Sequence, residues 1–494
     1  MKRVVKIIIF ISLTLCLTFS TSAETYQNYI FTYDGEKVEE PQAYVYKRLI
    51  RGENFGIGSF NNPQDVFCAT DGSLYVADTD NNRVIKIYNN GAKVVTWSIL
   101  SDGTSFSSPT GLYIRNEYLF VADSGNQRVV RLNMETNESY SYYKPDIPGE
   151  DDLSYIPMKV AVDSAWRLYV VCKGVNTGII EMNKDGEFLS HFGAIKTTPT
   201  AIQIMWRSIM NDTMLESMER IVPTEYSNLT IDDDDFIYGT ISALDANEVY
   251  SAATSKSNTS NAIPVRKLNP LGNDVLHKSG FYPPVGELNP EKDSKNTPLV
   301  SQFIDICLQS SGIYGMLDEV YGRVYVYNSE SDLLFDFGTL GNTIGDFGKP
   351  SALDCDVDGV YYVADSLYNQ IVVFEPTEYA KCIFDAVKAY YDKDYESAEN
   401  CWQDVLKYSI NSDLAYKGMG KSQMRLKEYK KAMYYFKLSH QQSLYSEAYQ
   451  HYRDQWIGEY FNIIVGTIAG VIVVIVLLRI FNKHKKKSKK ENDI

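Results

Sequence analysis

Histidine is scarce, with five residues in 494. Between Tyr44 and Pro376 only His191 and His277 occur, too few to build a zinc site from imidazoles. Cysteine is sparse as well, seven in all, with no Cys-x-x-Cys and no paired small-loop spacing. Neither a zinc knuckle nor a disulfide framework is indicated. No Gly-x-Ser-x-Gly elbow and no phosphate-binding loop occurs, so no nucleophile or nucleotide site is announced. Positive charge is also short: 48 Lys and Arg stand against 63 Asp and Glu, a formal net charge of −15. Basic residues concentrate at the two ends, so the stretch between them is more acidic still. Such a surface repels phosphate backbones, and nucleic-acid binding is not expected.

Two apolar runs stand out. Lys2, Arg3 and Lys6 precede a charge-free run from Ile7 to Phe19, followed by Ser20-Thr21-Ser22-Ala23. A basic head, a short apolar centre and small residues mark a signal peptide over 1–23. As helix the run reaches only about 20 Å, short of the ~30 Å bilayer core. A lipoprotein signal at Cys16 is rejected because bulky Leu15 precedes it. The second run, Tyr460 to Leu478, holds no charge over 19 residues and spans about 28 Å as helix. Trp456, Tyr460 and Phe461 suit an interfacial belt, and Arg479, Lys483, Lys485, Lys486, Lys487, Lys489 and Lys490 follow. The positive-inside rule then predicts one span over 460–481 in the cell membrane, a basic cytoplasmic tail over 482–494, and the N-terminal mass outside. Gly466 and Gly470 have the spacing that packs a helix pair.

Between these ends the sequence repeats. Pro63-Gln-Asp-Val66 leads to Gly72-Ser-Leu-Tyr-Val-Ala-Asp78 and Asn82-Arg83-Val84-Ile85. Pro109-Thr-Gly-Leu112 leads to Tyr118-Leu-Phe-Val-Ala-Asp123 and Gln127-Arg128-Val129-Val130. Pro350-Ser-Ala-Leu353 leads to Gly359-Val-Tyr-Tyr-Val-Ala-Asp365 and Asn369-Gln370-Ile371-Val372. Each copy reads strand, turn, strand, turn, strand. Weaker copies run from Pro157 to Met182, where Cys172 replaces the Asp, from Asn228 to Leu268, and from Phe303 to Tyr327, which keeps Asp318 and Arg323 at the same spacing. The six copies fall at about 60–90, 106–133, 154–184, 226–269, 301–329 and 347–375. They read as the blades of a β-propeller. Tyr44–Ile50, ahead of the first copy, is expected to supply the outer strand of the last blade and close the ring. Cys68, Cys307 and Cys355 fall at matching positions in different copies. This predicts thiols too far apart to bridge, serving as small apolar filler.

Val76-Ala-Asp-Thr-Asp-Asn-Asn-Arg83 and Val121-Ala-Asp-Ser-Gly-Asn-Gln-Arg128 resemble the NHL repeat family. The resemblance covers 42–377 and implies a six-bladed propeller. It implies no single activity, because members of that family bind protein or RNA, act as sensors, or are enzymes. After Pro376 the pattern turns helical. Asp394-Tyr395-Glu-Ser-Ala398-Glu-Asn-Cys-Trp402 recurs as Glu428-Tyr429-Lys-Lys-Ala432-Met-Tyr-Tyr-Phe436, offset by 34. That period, with small Ala398 and Ala432 and bulky Trp402 and Phe436, resembles tetratricopeptide repeats. Ala386 and Gly420 fill that family's small position on the first helix. The repeats are placed at 379–412 and 413–446, within a region 378–456 that ends in a capping helix. Glu399, beside Ala398, is expected at the surface. A lead-in, 24–41, precedes the propeller. The expected fold class is mainly β, with a small helical repeat region and one membrane helix.

Asp354-Cys-Asp356-Val-Asp358-Gly359 matches the opening of a calcium loop. Its twelfth position is Asp365 and a strand follows, so a hairpin turn is preferred to a calcium site. Asp232 to Asp235 is read likewise as a polar turn, with a cation at a propeller mouth as the alternative. Asp78, Asp123, Asp318 and Asp365, with Arg83, Arg128 and Arg323, are read as architecture, because chemistry needs one site and these recur around the ring. The Asp is expected to accept backbone N–H bonds and the Arg to pair across blades. Most of the 38 tyrosines suit sheet packing. Tyr155, Trp166 and Trp206 are the candidate ligand contacts, weighed against core burial. Asn137, Asn211, Asn228 and Asn258 lie in sequons.

These patterns name no catalytic, cofactor or metal residue. The expectation is an extracytoplasmic binding or scaffold protein rather than an enzyme. The propeller would receive a protein or carbohydrate ligand, with recognition at the long polar stretches 251–261 and 270–300. The helical repeat would give a second surface, and the short tail leaves signalling to a membrane partner such as a transporter or sensor. The competing expectation comes from the wider propeller group, which includes zinc lyases and metal-dependent lactonases. It is an extracellular hydrolase acting on lactones or sugar-derived substrates, for which calcium needs only oxygen ligands.

Overall fold

A computed structural model describes residues 28–32, 35–194, 225–254, 262–277 and 284–492. The expected signal peptide, Trp206, Asn211, Asn258 and most of the 251–261 stretch lie outside the described residues. The chain divides into two units, one ending at Lys388 and one starting at Ala389.

In the first unit, β1 (Tyr29–Phe31) and β2 (Lys37–Glu39) form a hairpin, and β3 (Tyr44–Ile50) follows. Sheet one holds β4 (Pro63–Cys68), β5 (Leu74–Asp78), β6 (Arg83–Ile87) and β7 (Val94–Trp97). Sheet two holds β8 (Pro109–Arg115), β9 (Tyr118–Asp123), β10 (Arg128–Asn133) and β11 (Ser139–Tyr142). Sheet three holds β12 (Pro157–Val162), β13 (Leu168–Cys172), β14 (Ile179–Met182) and β15 (Phe188–Phe192). Sheet four, three-stranded among the described residues, holds β16 (Asn228–Ile231), β17 (Ile237–Thr240) and β18 (Val265–Leu268), with helix α1 (Ala246–Thr254) between the last two. Sheet five holds β19 (Phe303–Leu308), β20 (Tyr314–Asp318), β21 (Arg323–Tyr327) and β22 (Leu333–Phe337). Sheet six holds β23 (Pro350–Cys355), β24 (Tyr361–Asp365) and β25 (Gln370–Pro376). The first strand of each sheet lies beside the first strand of the next, and β23 lies beside β4. The six sheets therefore close into a ring, a six-bladed β-propeller. β3 completes sheet six by pairing with β25, Ile50 opposite Ile371 and Tyr44 opposite Pro376. This is the closure the sequence predicts.

Each blade is sandwiched between two others, so both faces of its middle strands are buried. Val76 packs toward blade six with Ile50 and Ile371, while Tyr75 and Ala77 pack toward blade two with Leu112 and Val121. Leu74–Asp78 accordingly reads as a continuous apolar run rather than an alternating one. Blades five and six meet through rings: Tyr44 stacks on Phe337 at 4.4 Å, and Phe337 lies against Tyr361 and Phe374. The β1–β2 hairpin docks on blade five. Tyr29 donates its N–H to Asp336 and its hydroxyl to Glu287, and Arg323 lies over its ring at 4.7 Å.

Helix α2 (Glu378–Tyr391) begins inside the first unit, where Phe384 packs on Phe335 and Tyr379 donates to Glu40. The second unit holds α3 (Tyr395–Val405), α4 (Asp413–Arg425), α5 (Tyr429–Leu438) and α6 (Gln442–Asn492). Asp394 and Ser412 cap α3 and α4 by accepting from Ser397 N–H and Ala415 N–H. Ala398 and Ala432 are fully buried. Trp402 of α3 lies over Gly418 of α4, and Phe436 of α5 over Gly420. A Cβ on these glycines would meet ring atoms at 2.3 Å and 2.5 Å. The expected capping helix continues into the apolar stretch, since α6 runs unbroken from Gln442. Among the described residues, α6 is the one helix long and apolar enough to cross a membrane.

Candidate functional site

Strands β4, β8, β12, β19 and β23 each carry a register shift after their first residue. The third residues, Asp65, Gly111, Lys159, Asp305 and Ala352, follow this bulge. Lys159 Nζ lies 2.6 Å from Asp65 Oδ1 and 3.7 Å from Asp305 Oδ2. Blades one, three and five are not neighbours, so these contacts run through the centre of the ring. Asn228 of blade four donates to Asp305. Leu112 N–H of blade two donates to Asp65 at 2.6 Å, and Leu353 N–H of blade six to Asp305 at 2.8 Å. All six blades thus meet in one polar cluster. Gly111 leaves the room that Lys159 needs: a Cβ there would come within 2.4 Å of Met158 O and 2.8 Å of Lys159 Cα.

Burial works against the Lys159 ammonium, but Asp305 and Asp65 outweigh it and hold its pKa above the ordinary lysine value. Burial raises both carboxyls, Asp305 to about 6, with Lys159 opposing the rise. Asp354, further along β23, accepts Cys68 N–H at 2.6 Å and Cys355 N–H at 2.9 Å. Burial, reinforced by Asp305 and Asp65, pushes it up to about 8. Over the cluster opens a cup of about 210 Å³, which takes in Gln64, Met158, Lys159, Ile304, Glu319 and Lys349. Its hydroxyls are already committed. Thr110 donates to Met158 O, Ser227 to Phe303 O and Ser351 to Pro63 O, each latching one blade to the next. Calcium takes about 6–8 oxygen ligands. Here Lys159 holds the centre between Asp65 and Asp305, each already bonded to a backbone N–H, so the residues present do not fit a resident calcium ion.

The repeated Asp residues occupy a different layer. Asp78 accepts Asn61 N–H at 2.7 Å, Asp123 accepts Ser107 N–H at 2.7 Å, Asp318 accepts Gln302 N–H at 3.0 Å, and Asp365 accepts Gly348 N–H at 2.6 Å. Each fastens the segment leading into its own blade. The arginines differ from expectation, since they pair within a blade rather than across blades: Arg83 with Asp78 at 2.6 Å and Arg128 with Asp123 at 2.8 Å. The Asp–Arg hairpin puts the two side chains opposite each other on paired strands. Blade five breaks the rule. Arg323 pairs with Asp336, drawn there beside the Tyr29 ring, and burial raises Asp318 to about 6. In blade six Gln370 stands at the Arg position and accepts from Arg51 at 2.9 Å.

Some sequence expectations hold and others need correction. Tyr155 is not a ligand contact: it is buried between blades two and three with Tyr142 and Val160. Trp166 sits in the turn before β13 with φ +63° and packs on Tyr118 at 5.5 Å, so it too belongs to the core side. Asn228 is buried in the central cluster, where a glycan has no space. Asn137 is exposed and accepts from Trp97 Nε1. Asp356 accepts from Asp358 N–H and Val360 N–H, and Asp232 from Phe236 N–H and Asp234 N–H, so both acidic runs are hairpin turns. Cys307 and Cys355 are not remote: inner strands of adjacent blades converge on the centre and bring the thiols together. Asp65, Lys159 and Asp305 were missed by sequence reasoning. Their signal was a charged third residue in an inner strand that is otherwise largely apolar.

A second, wider depression of about 700 Å³ includes Phe236, Lys267, Leu271, Val275 and His277, within and beside the 270–300 stretch. Leu271 there is 83% exposed.

The sequence matches no protein-family model. It is 29% identical over 111 residues to Protein SUPPRESSOR OF QUENCHING 1, chloroplastic, of Arabidopsis thaliana. That match takes in 20% of this chain and about a tenth of the length of the plant protein. Among solved structures, the chain is similar to a structural genomics protein of unknown function from Bacteroides thetaiotaomicron, at 13% identity and TM-score 0.42 over 70% of this chain and 80% of that one. It is also similar to the PQQ-bound aldose sugar dehydrogenase of Streptomyces coelicolor, at 11% identity and TM-score 0.40 over 68% of this chain and all of that one. Similarities at this level add nothing to the closed ring of six sheets described above.

Proposed function

We propose that this chain is a membrane-anchored extracytoplasmic binding protein whose propeller receives a protein or carbohydrate ligand. The observation that carries this reading is Lys159. A hydrolase would need the centre of the ring for a cation or a reacting group, and here Lys159 spans from Asp65 toward Asp305. The repeated Asp and Arg are likewise spent on backbone and on each other. Exposed apolar surface at Leu271 and Val275 favours recognition at the 270–300 stretch. Fully buried Ala398 and Ala432 favour a tetratricopeptide-like stack as a second surface, and α6 favours a single-span anchor with its basic end in the cytoplasm. A transporter or sensor in the same membrane is the partner class this arrangement suits.

The lactonase reading keeps one observation in its favour, the gathering of Asp65, Asp305 and Asp354 near the centre. To serve a metal, those carboxylates would have to exchange Lys159 for it. An impermeant cross-linker applied to intact cells, followed by purification of the full chain, separates the two. Binding predicts a saturable adduct through the propeller and no lactone turnover with added calcium. Calcium-dependent turnover, or a propeller the reagent cannot reach, would overturn the proposal.

A further inference from the structure

Cys307 is the penultimate residue of the inner strand of blade five, and Cys355 ends that of blade six. Their sulfurs and one Asp354 carboxylate oxygen all lie within 4.8 Å of one another. Both thiols are buried. Two more observations bear on this corner. The Tyr361 hydroxyl is buried against the Cys307 thiol and makes no other hydrogen bond among the described residues, a sparse setting for a native polar group. In addition, three carboxyls, Asp65, Asp305 and Asp354, gather near the centre, where Lys159 pairs with the first two.

We propose that Cys307, Cys355 and Asp354 form a binding site for a thiophilic divalent cation of the zinc class, which staples blade five to blade six. Zinc is held at about 2.3 Å from sulfur, so two sulfurs on one tetrahedral ion stand about 3.8 Å apart. The observed triangle closes on an ion with small side-chain shifts. Binding replaces two S–H bonds with two sulfur–metal bonds, the two protons leave to solvent, and no electron is transferred. Each thiolate gains an acceptor site, and the Tyr361 hydroxyl then has a charged sulfur to donate to, the usual outer support of a metal ligand. A disulfide is the rival. It would draw the sulfurs to about 2.05 Å, would need an external oxidant, and would give the Tyr361 hydroxyl no charged sulfur to donate to. The site does not depend on what the propeller binds, and it joins the closing blade to its neighbour.

The test uses the full chain in detergent, reduced and stripped with a chelator. Cadmium, the spectroscopic stand-in, is expected to bind once per chain and raise a near-ultraviolet thiolate-to-metal absorption. Cys307→Ser or Cys355→Ser should abolish that band, and Cys68→Ser should keep it. Because a variant can misfold, the unaltered protein gives a second reading. Zinc should slow alkylation of Cys307 and Cys355 at least tenfold and leave Cys382 and Cys401 unprotected. A band that survives in both serine variants, equal alkylation with and without zinc, or a Cys307–Cys355 disulfide in protein isolated under non-reducing conditions would each overturn the proposal.

Discussion

Lys159 is nearly buried, and two carboxylates depend on it. Its replacement by Gln keeps the length and removes the charge, leaving Asp65 and Asp305 facing each other across the centre. Breaking a buried pair by removing one partner typically costs about 3–5 kcal/mol, so Lys159→Gln is expected to lower the melting temperature sharply at pH 8. The loss should shrink at pH 5, where the orphaned carboxyls take up protons. An equal loss at both values would mean that the ammonium is not what holds the cluster. Asp318 makes a separate case. Its folded pKa, about 6, lies above the unfolded value near 3.9. A raised carboxyl stabilises the fold fully below the lower value, and that contribution is lost as pH rises through about 6. Asp318→Asn should therefore flatten the fall in stability between pH 4 and pH 7, by at most about 3 kcal/mol, as read by denaturant melts. An unchanged slope would contradict the assignment. None of these roles was legible from residue type alone. Asp78 and Asp318 look alike in the sequence, and only the diversion of Arg323 to Asp336 separates them.

At the scale of elements the sequence was far more legible, because periodicity survives where individual contacts do not. The strand triplets, the closing strand Tyr44–Ile50 and the 34-residue offset between α3 and α5 all follow from spacing and size. What spacing missed was Gly418, whose lack of a side chain accommodates Trp402, and the place of Glu399. That residue is half-buried and accepts from Gln423 and Tyr435, tying three helices together, so it is not a neutral surface position. Ala398 has no such partners and no space. Ala398→Leu adds three carbons at a closed contact, an overpacking that costs about 1–3 kcal/mol. It is expected to make 389–440 protease-sensitive while the propeller stays resistant. Glu396, exposed on the same helix, is the proper control, and its Ala variant should be cut no faster than the native chain. Cleavage of both at one rate would remove the assignment of Ala398 to a helix crossing.

For the whole molecule, the sequence placed the propeller's end at 377, a pattern boundary rather than a packing boundary. The first turns of α2 pack with the propeller unit through Phe384 on Phe335 and Tyr379 on Glu40. A 24–388 fragment is accordingly expected to be soluble and monodisperse. A 24–377 fragment, which exposes Phe335, should give lower yield and bind a hydrophobic dye. Equal behaviour would return the boundary to 377. Periodicity could not have revealed this, since helical and packing limits coincide only when an element belongs to one unit.

The seam between β3 and β25 also imposes an order in time. Arg51 and Gln370, which meet at its end, are 319 positions apart. Chains grow at about 5–20 residues per second, so the sealing strand waits on the order of tens of seconds for its partner. Throughout that interval blade one has no neighbour on the blade-six side, and Tyr44–Ile50 is an unpaired strand of the kind that recruits other chains. Nascent chains stalled before residue 370 should expose this segment to protease or to chaperone capture, and chains released past 376 should protect it. A strand made ahead of every blade is the last to be used, and the whole ring is provisional until its partner arrives.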